Sequence, residues 1–148
     1  MRRSLIAVLV VALSAGTAGP AAAELTIAPG GVRMIVPAES RGGDPAPAFA
    51  ARAGRTYRFE VSYDVAGAPR IGTGHVFAFE DAVTGRRMKV LSKRFAPEPP
   101  GAYRESSELT VPAGWEPGVY RLRWAVTARS RGLDPARATG TRVFLVVR

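Results

Sequence analysis

The sequence predicts an all-β protein, a single antiparallel β-sandwich of about seven or eight strands. Apolar and polar residues alternate with a period of two in several short segments, a pattern typical of half-buried strands. Turn residues separate these segments at intervals of roughly 8–12 residues, as they do in sandwiches. No segment after residue 23 shows the helical periodicity that would predict an amphipathic helix.

The first 23 residues are expected to be a signal peptide. Arg2 and Arg3 precede an apolar run, and Ala21 and Ala23 form the A-x-A pattern that signal peptidase recognises. Cleavage before Glu24 predicts a periplasmic or secreted bacterial protein. The run is shorter than the ~20 residues that cross a bilayer, and an uncleaved N-terminal anchor is the alternative. No later segment is long and apolar enough to span a membrane.

Residues 24–148 are predicted to form one domain without disulfides. The chain contains no cysteine, although exported domains often gain ~2–5 kcal/mol from each disulfide. A domain of this length buries about two thirds of its unfolded surface, which is enough for an apolar core. The Gly-, Pro- and Ala-rich segment near residues 40–54 is predicted to be a flexible loop.

The clearest strand is predicted at residues 56–65. Its inward face would carry Tyr57, Phe59, Val61, Tyr63 and Val65. Residues 72–80 repeat the alternation, with one apolar face formed by His75, Phe77 and Phe79. Residues 81–87 are predicted to be a hairpin connection in which Gly85 has positive φ. The basic strand that follows is predicted to be exposed.

Three further predictions concern the two ends of the domain. Two short edge strands are predicted before residue 38. Residues 127–140 are polar and are predicted to form a long loop. The final strand, residues 141–148, is apolar at successive positions and is predicted to be covered on both faces.

The segment EPGVYRLRW, residues 116–124, contains the most specific motif. The Pro-Gly pair supplies a tight turn before an alternating strand. We assign structural roles to Pro117, Gly118, Tyr120, Leu122 and Trp124. The segment resembles the D-x-G-x-Y-x-C pattern of strand F in immunoglobulin domains, with Glu for Asp and Leu for Cys. In such domains this Tyr forms a "tyrosine corner", packing on the core and hydrogen-bonding the backbone a few residues upstream.

The C-terminal strand extends this resemblance. Residues 140–147 are similar to the G-T-x-L-x-V of an immunoglobulin G strand, and fibronectin type III domains end in a similar way. Leu122 stands in place of the second cysteine, and Phe77 or Phe79 would substitute for the Trp of strand C. The resemblance implies a bacterial secreted immunoglobulin-like or fibronectin type III-like sandwich without the disulfide. Such domains are adhesive, spacer or ligand-binding modules, and the fold does not choose among these roles.

Residues typical of catalysis or metal binding are scarce. His75 is the single histidine, and a catalytic base needs a nucleophile and an orienting acid in reach. The strand direction carries Glu80 and Asp81 away from it. One histidine and no cysteine supply too few ligands for a transition-metal site, and no segment has the spacing of a calcium loop. We predict no enzymatic activity, no metal and no cofactor.

Positive charge is the strongest functional signal. The net charge of +9 falls to +7 when Arg2 and Arg3 are removed. Arginine binds carboxylates and phosphates through bidentate contacts. Eight residues of the predicted basic hairpin and polar loop are candidates for anion binding: Arg86, Arg87, Lys89, Lys93, Arg94, Arg129, Arg131 and Arg137. The alternative is a solvated polar surface in a protein from a GC-rich, arginine-rich genome.

These observations predict a non-catalytic exported binding or structural module of the bacterial cell envelope. Its expected partner is an envelope protein or an acidic glycan. Polyanion or carbohydrate binding through the basic hairpin and loop is the alternative function. Nucleic acid is not an expected partner, because the protein is predicted to be exported and its basic residues are not interleaved with aromatic ones.

Overall fold

The computed structural model describes residues 23–36, 46–47 and 50–148. This part of the chain contains nine strands and no helix, and therefore no helix that could span a membrane. The strands are β1 (Thr26–Val36), β2 (Ala46–Pro47), β3 (Ala50–Arg52), β4 (Thr56–Ala66), β5 (Gly72–Asp81), β6 (Arg87–Arg94), β7 (Gly101–Thr110), β8 (Gly118–Arg129) and β9 (Ala136–Val147). The predicted signal peptide lies outside the described residues, except for Ala23.

The strands form a four-stranded sheet, in the order β2-β1-β4-β7, and a five-stranded sheet, in the order β3-β9-β8-β5-β6. Every pairing is antiparallel except that of β3 with β9. This arrangement confirms the predicted all-β sandwich, and seven of the strands have at least eight residues. Strands β1, β4 and β7 occupy one sheet and β5, β8 and β9 the other, which matches strands A, B, E and C, F, G of immunoglobulin-like domains.

The core lies between the two sheets and is built from the inward faces that the alternation predicts. Along β4 every second residue from Tyr57 to Val65 is buried. The ring of Phe59 on β4 meets Phe79 on β5 and Phe144 on β9, with centroid distances of 4.8 and 5.9 Å. Aromatic rings from both sheets thus fill the core of a domain that has no disulfide.

Tyr120 has the hydrogen bond that defines a tyrosine corner. Its hydroxyl donates to the carbonyl oxygen of Glu116 at 2.9 Å. Its ring stacks on Trp115, with 4.8 Å between centroids and 6° between planes. Leu122 and Trp124 continue inward along β8, and both are buried. The turn, the corner and the start of β8 therefore form one packed unit.

The predicted long loop at residues 127–140 is wrong. Strands β8 and β9 both continue into this segment, and only residues 130–135 connect them. The inward positions of the extension hold small residues, Ala128 and Ala138, which are buried. Gly140 lies against Trp124, and a Cβ at this glycine would be 2.4 Å from the indole ring. Because these side chains are small, β8 and β9 can continue as paired strands into this polar segment. Its polar composition predicts a loop instead.

The prediction that β9 is covered on both faces is also wrong. Phe144 and Val146 are buried in the core, whereas Val143 and Leu145 are 57% and 46% exposed. They lie on the outer face of the five-stranded sheet. No further layer of the described chain packs on this face.

The N-terminal part of the domain differs from the prediction as well. One strand, β1, replaces the two predicted short strands, with a register shift between Pro29 and Gly31. It pairs with β4 along most of its length, and among the described residues β2 pairs with its other side only at Ile35 and Val36, so the rest of β1 is an edge strand, as predicted. Within the predicted loop near residues 40–54, β3 pairs with β9 and buries Ala51. Residues 40–45 and 48–49 of that segment lie outside the described residues.

Candidate functional site

Five of the eight candidate anion-binding residues fall into two groups at opposite ends of β6, and Arg129, Arg131 and Arg137 lie on or beside β8 and β9. Arg86, Arg87 and Lys89 lie at the hairpin end, beside the β5–β6 connection. Lys93 and Arg94 lie at the other end of the strand. A strand rises about 3.3 Å per residue, so Arg87 and Arg94 are about 23 Å apart along β6. These two groups do not form one site.

The strand register brings residues from β6, β8 and β9 together at the Gly72 end of the five-stranded sheet. Gly74 on β5 lies opposite Arg94 on β6 and opposite Thr127 on β8. Thr127 in turn lies opposite Arg137 on β9, and Arg129 lies opposite Gly72. Directly opposed residues share a face of a sheet. Arg94, Arg129 and Arg137 therefore occupy the same outer face.

A cavity of about 500 Å³ opens between Arg94 and Arg129, and Arg137 is not among the residues that line it. Its floor is the start of β5, and its walls are the end of β6 and the end of β8. The outward residues that line it are Gly72, Gly74, Val76, Ser92, Arg94, Thr127 and Arg129. An adjoining cavity of about 410 Å³ shares Gly72 and Arg129 and adds Arg70 and Arg131. We call the two cavities together the arginine groove.

Two glycines form the floor of the arginine groove, and the space beside them differs. A Cβ at Gly74 would lie 2.9 Å from the carbonyl oxygen of Lys93, so this position favours glycine. A Cβ at Gly72 would meet no atom nearer than 3.8 Å. A Cβ at Gly72 would therefore fit without a clash and would enter space that a ligand could use.

The arginines of the groove belong to the described arginines that form no ion pair, whereas Arg33, Arg58, Arg104 and Arg123 each pair with a glutamate. Within the described residues, Arg94, Arg129 and Arg131 have no carboxylate within ion-pair distance. Elsewhere on the same sheet, Arg123 Nε lies 3.0 Å from Glu80 Oε2. Arg70 donates to the carbonyl oxygen of Pro97 at 3.2 Å. The groove therefore presents positive charge that no described acidic side chain balances.

A buried polar network lies between the sheets at the same end of β5. The Tyr63 hydroxyl donates to Thr73 Oγ1 at 3.0 Å, and Thr73 donates to Glu105 Oε1 at 3.1 Å. His75 Nδ1 is 3.4 Å from Glu105 Oε2, and its Nε2 is 2.8 Å from Ser107 Oγ. Burial of the phenol, followed by its interaction with Glu105, raises the pKa of Tyr63.

This network links Ser, His and Glu in the order found in serine hydrolases. The sequence prediction missed it, because Glu105 and Ser107 come from β7, about thirty positions after His75. The one signal was their spacing of two on a strand, which puts both on the same face. The His75 side chain is fully buried, and its ring stacks on Phe77 at 4.5 Å between centroids. Such a closed network fixes how two sheets align.

The described residues contain no cluster of three or more His, Cys, Asp or Glu side chains that could hold a metal ion. The network has only two members of that set, His75 and Glu105. That the protein needs no metal or cofactor stays a prediction.

Comparison with known proteins adds a structural likeness. No protein-family model matches the chain, and no curated protein matches it. The fold is similar to a crystal structure of the CARDB domain of the PF1109 protein from Pyrococcus furiosus, in complex with di-metal ions. The two are 14% identical with a TM-score of 0.44, and the match covers 84% of this chain and 88% of that one.

Proposed function

We propose that the protein is an exported, non-catalytic binding module of the bacterial cell envelope, and that its arginine groove binds an anionic partner. The observation that carries this proposal is the convergence of Arg94, Arg129 and Arg131 around a glycine floor without a neighbouring carboxylate. Guanidinium groups bind carboxylate, sulfate and phosphate oxygens through paired hydrogen bonds. An acidic envelope polymer or the acidic segment of an envelope protein would supply these oxygens.

The shape of the groove favours an elongated ligand. The two cavities adjoin at Gly72 and Arg129, and they place Arg94 at one end and Arg70 and Arg131 at the other. A polymer with repeated negative charges could contact several of these residues in turn. Binding through several charged contacts is sensitive to salt, because exposed charges are screened.

Chromatography on immobilised heparin tests this proposal. The double variant Arg94→Ala/Arg129→Ala should elute at a clearly lower salt concentration than the wild-type protein. The matched control is Arg86→Ala/Arg87→Ala, which removes the same charge at the far end of β6 and should elute close to wild type. Equal shifts for the two variants would show that net charge alone retains the protein. Failure of the wild-type protein to bind would also reject the proposal.

A second variant tests the shape of the groove without changing its charge. Gly72→Leu keeps every charged residue and fills the floor, where a Cβ has room. It should weaken retention while thermal unfolding remains close to that of the wild-type protein. Unchanged retention would place the ligand elsewhere on the surface.

The burial of His75 supports the non-catalytic part of the proposal, because a catalytic base has to reach the substrate and the His75 side chain is fully buried. A fluorophosphonate probe, which forms a covalent bond with activated serines, should leave Ser107 unlabelled. Labelling that is lost in both Ser107→Ala and His75→Ala would contradict this and would indicate a serine hydrolase.

Export can be tested on the protein itself. N-terminal sequencing of the protein recovered from the periplasm or medium should begin at Glu24. A chain that starts at Met1 and sediments with membranes would instead support the uncleaved anchor.

A further inference from the structure

We infer that the arginine groove prefers a tetrahedral oxyanion, a sulfate ester or a phosphate monoester, over a carboxylate. This inference rests on the proposed function and names the chemical group that the groove recognises. It follows from the number of hydrogen-bond donors around the floor and from their positions on two opposite walls.

Donors stand on both walls of the groove. Arg94 and Ser92 line the β6 wall, and Arg129 and Thr127 line the β8 wall. The hydroxyls of Ser92 and Thr127 have no hydrogen-bond partner among the described residues. Two guanidinium groups and two hydroxyls are therefore available to one ligand.

The floor contributes no donors of its own. Strand β5 pairs with β6 on one side and with β8 on the other, so its backbone amides are used by the two ladders. At Gly72, where no atom lies within 3.8 Å of the position of a Cβ, a ligand can still approach this backbone closely. All recognition must then come from the walls, which are two strand spacings apart, about 10 Å.

A carboxylate fits this arrangement less well than a sulfate or phosphate ester does. A carboxylate has two oxygens in one plane, and a single bidentate arginine engages both of them. A phosphate monoester has three acceptor oxygens arranged around the central atom, and a sulfate ester has the same arrangement. Such a group can bond one guanidinium on each wall and still accept from a hydroxyl.

Two dextran derivatives of equal length and equal degree of substitution test the inference. Dextran sulfate should bind the protein about tenfold or more tightly than carboxymethyl-dextran, in titrations at one fixed ionic strength. Equal or tighter binding of carboxymethyl-dextran would overturn the inference and leave the proposed function standing. Failure of both polymers to bind would reject the proposed function itself.

The hydroxyl variant Ser92→Ala/Thr127→Val provides the matched control, because it changes no charge. It should reduce the preference for sulfate over carboxymethyl groups, with binding of carboxymethyl-dextran nearly unchanged. An unaltered preference would show that the walls do not act as inferred. Vesicles that contain phosphatidic acid, compared with soluble dextran sulfate, then distinguish a lipid-borne from a glycan-borne oxyanion.

Discussion

On the outer face of the four-stranded sheet, Arg33 and Arg104 both lie within 3.3 Å of Glu60, and Arg58 lies 3.2 Å from Glu108. At the groove end of the five-stranded sheet, Arg94 and Arg129 have no such partner among the described residues. In both regions the arginines lie on the outer face of a sheet. They differ in where the glutamates are placed.

This difference shows why a high arginine content alone does not identify a binding site. A genome that favours arginine codons would raise the arginine content of both sheets alike, so arginine abundance identifies no site. The carboxylates are more informative. On the four-stranded sheet the cross-strand pairing of Arg33 with Glu60 and of Arg58 with Glu108 balances the charge locally. In the groove, unbalanced charge lies around a concave floor.

The largest expected effect comes from removing the unpaired arginines. Arg94→Ala/Arg129→Ala should weaken binding of a sulfated polymer by about 10- to 100-fold, because each charge-assisted hydrogen bond contributes ~1.5–3 kcal/mol. We call the outer face of the four-stranded sheet, where Arg33 and Arg104 lie beside Glu60, the paired face. Arg33→Ala/Arg104→Ala removes the same charge from this face and should change the affinity little. Isothermal titration of both variants makes the comparison. Similar losses for the two would mean that pairing with glutamate does not decide which arginines bind.

The two sheets also differ in their tyrosines. Tyr120 on β8 donates to the carbonyl of Glu116, and Tyr103 on β7 donates to that of Pro99, four residues upstream in both cases. Tyr120 is 2% exposed, whereas Tyr103 is only half-buried. Tyr120→Phe should lower the free energy of unfolding by ~1–3 kcal/mol, because it removes the donor of a part-buried hydrogen bond.

Tyr103→Phe is the matched control and should cost less, because water can replace the lost donor. Urea denaturation of both variants measures the difference. A larger loss for Tyr103→Phe would contradict the assignment of the structural corner to β8.

Glu60→Gln should leave two arginines of the paired face without an ion-pair partner. It leaves Arg33 and Arg104 without their shared carboxylate and should lower stability by only ~0.2–1 kcal/mol, as exposed ion pairs do. The variant should elute from heparin at slightly higher salt than the wild-type protein, and Gly72→Leu should not abolish this increment. No change in elution would show that the pairing does not mask these arginines.

The smallest effect concerns pH and the hairpin far from the groove. Asp81 Oδ1 accepts from the backbone amides of Val83 and Thr84 at 2.8 and 2.9 Å, and these bonds lower its pKa from 3.8. A lowered pKa in the folded state means stability that is present above about pH 4 and is lost as the pH falls through the folded value.

Asp81→Asn should therefore reduce the loss of stability between neutral pH and about pH 3, relative to the wild-type protein. Thermal unfolding across that range measures it. Parallel pH profiles for the two proteins would rule out this contribution.

Much of the fold could be predicted from local pattern. The alternation from Tyr57 to Val65 fixes the inward face of β4, and Gly85 has the positive φ of 70° expected in its turn. Composition gave a wrong prediction for residues 127–140, which were expected to be a loop. A strand can carry polar residues on its outer face while small residues such as Ala128 and Ala138 are buried on its inner face. Coverage of a strand, as at Val143, depends on whether a further layer is present, which a strand's own residues do not encode.

The site was predictable only in part. The sequence identified basic residues on β6 and near the β8–β9 connection, but not which of them meet. That depends on register, which sets Arg94 and Arg129 on either side of β5 and leaves Arg86 at the far end. The His75 network was missed for the same reason, since pairing across sheets brings in β7. Arg70 was missed because it is a lone basic residue before β5.

The most direct test of the arginine groove is to map ligand contacts by NMR. A short sulfated oligosaccharide is titrated into the ¹⁵N-labelled protein, and amide shift changes are followed residue by residue. The groove predicts that the largest changes cluster at Gly72, Gly74, Thr127 and Arg129 and disappear in Arg94→Ala/Arg129→Ala. Changes that cluster instead at the hairpin near Arg86, or on the paired face around Arg33, would contradict it.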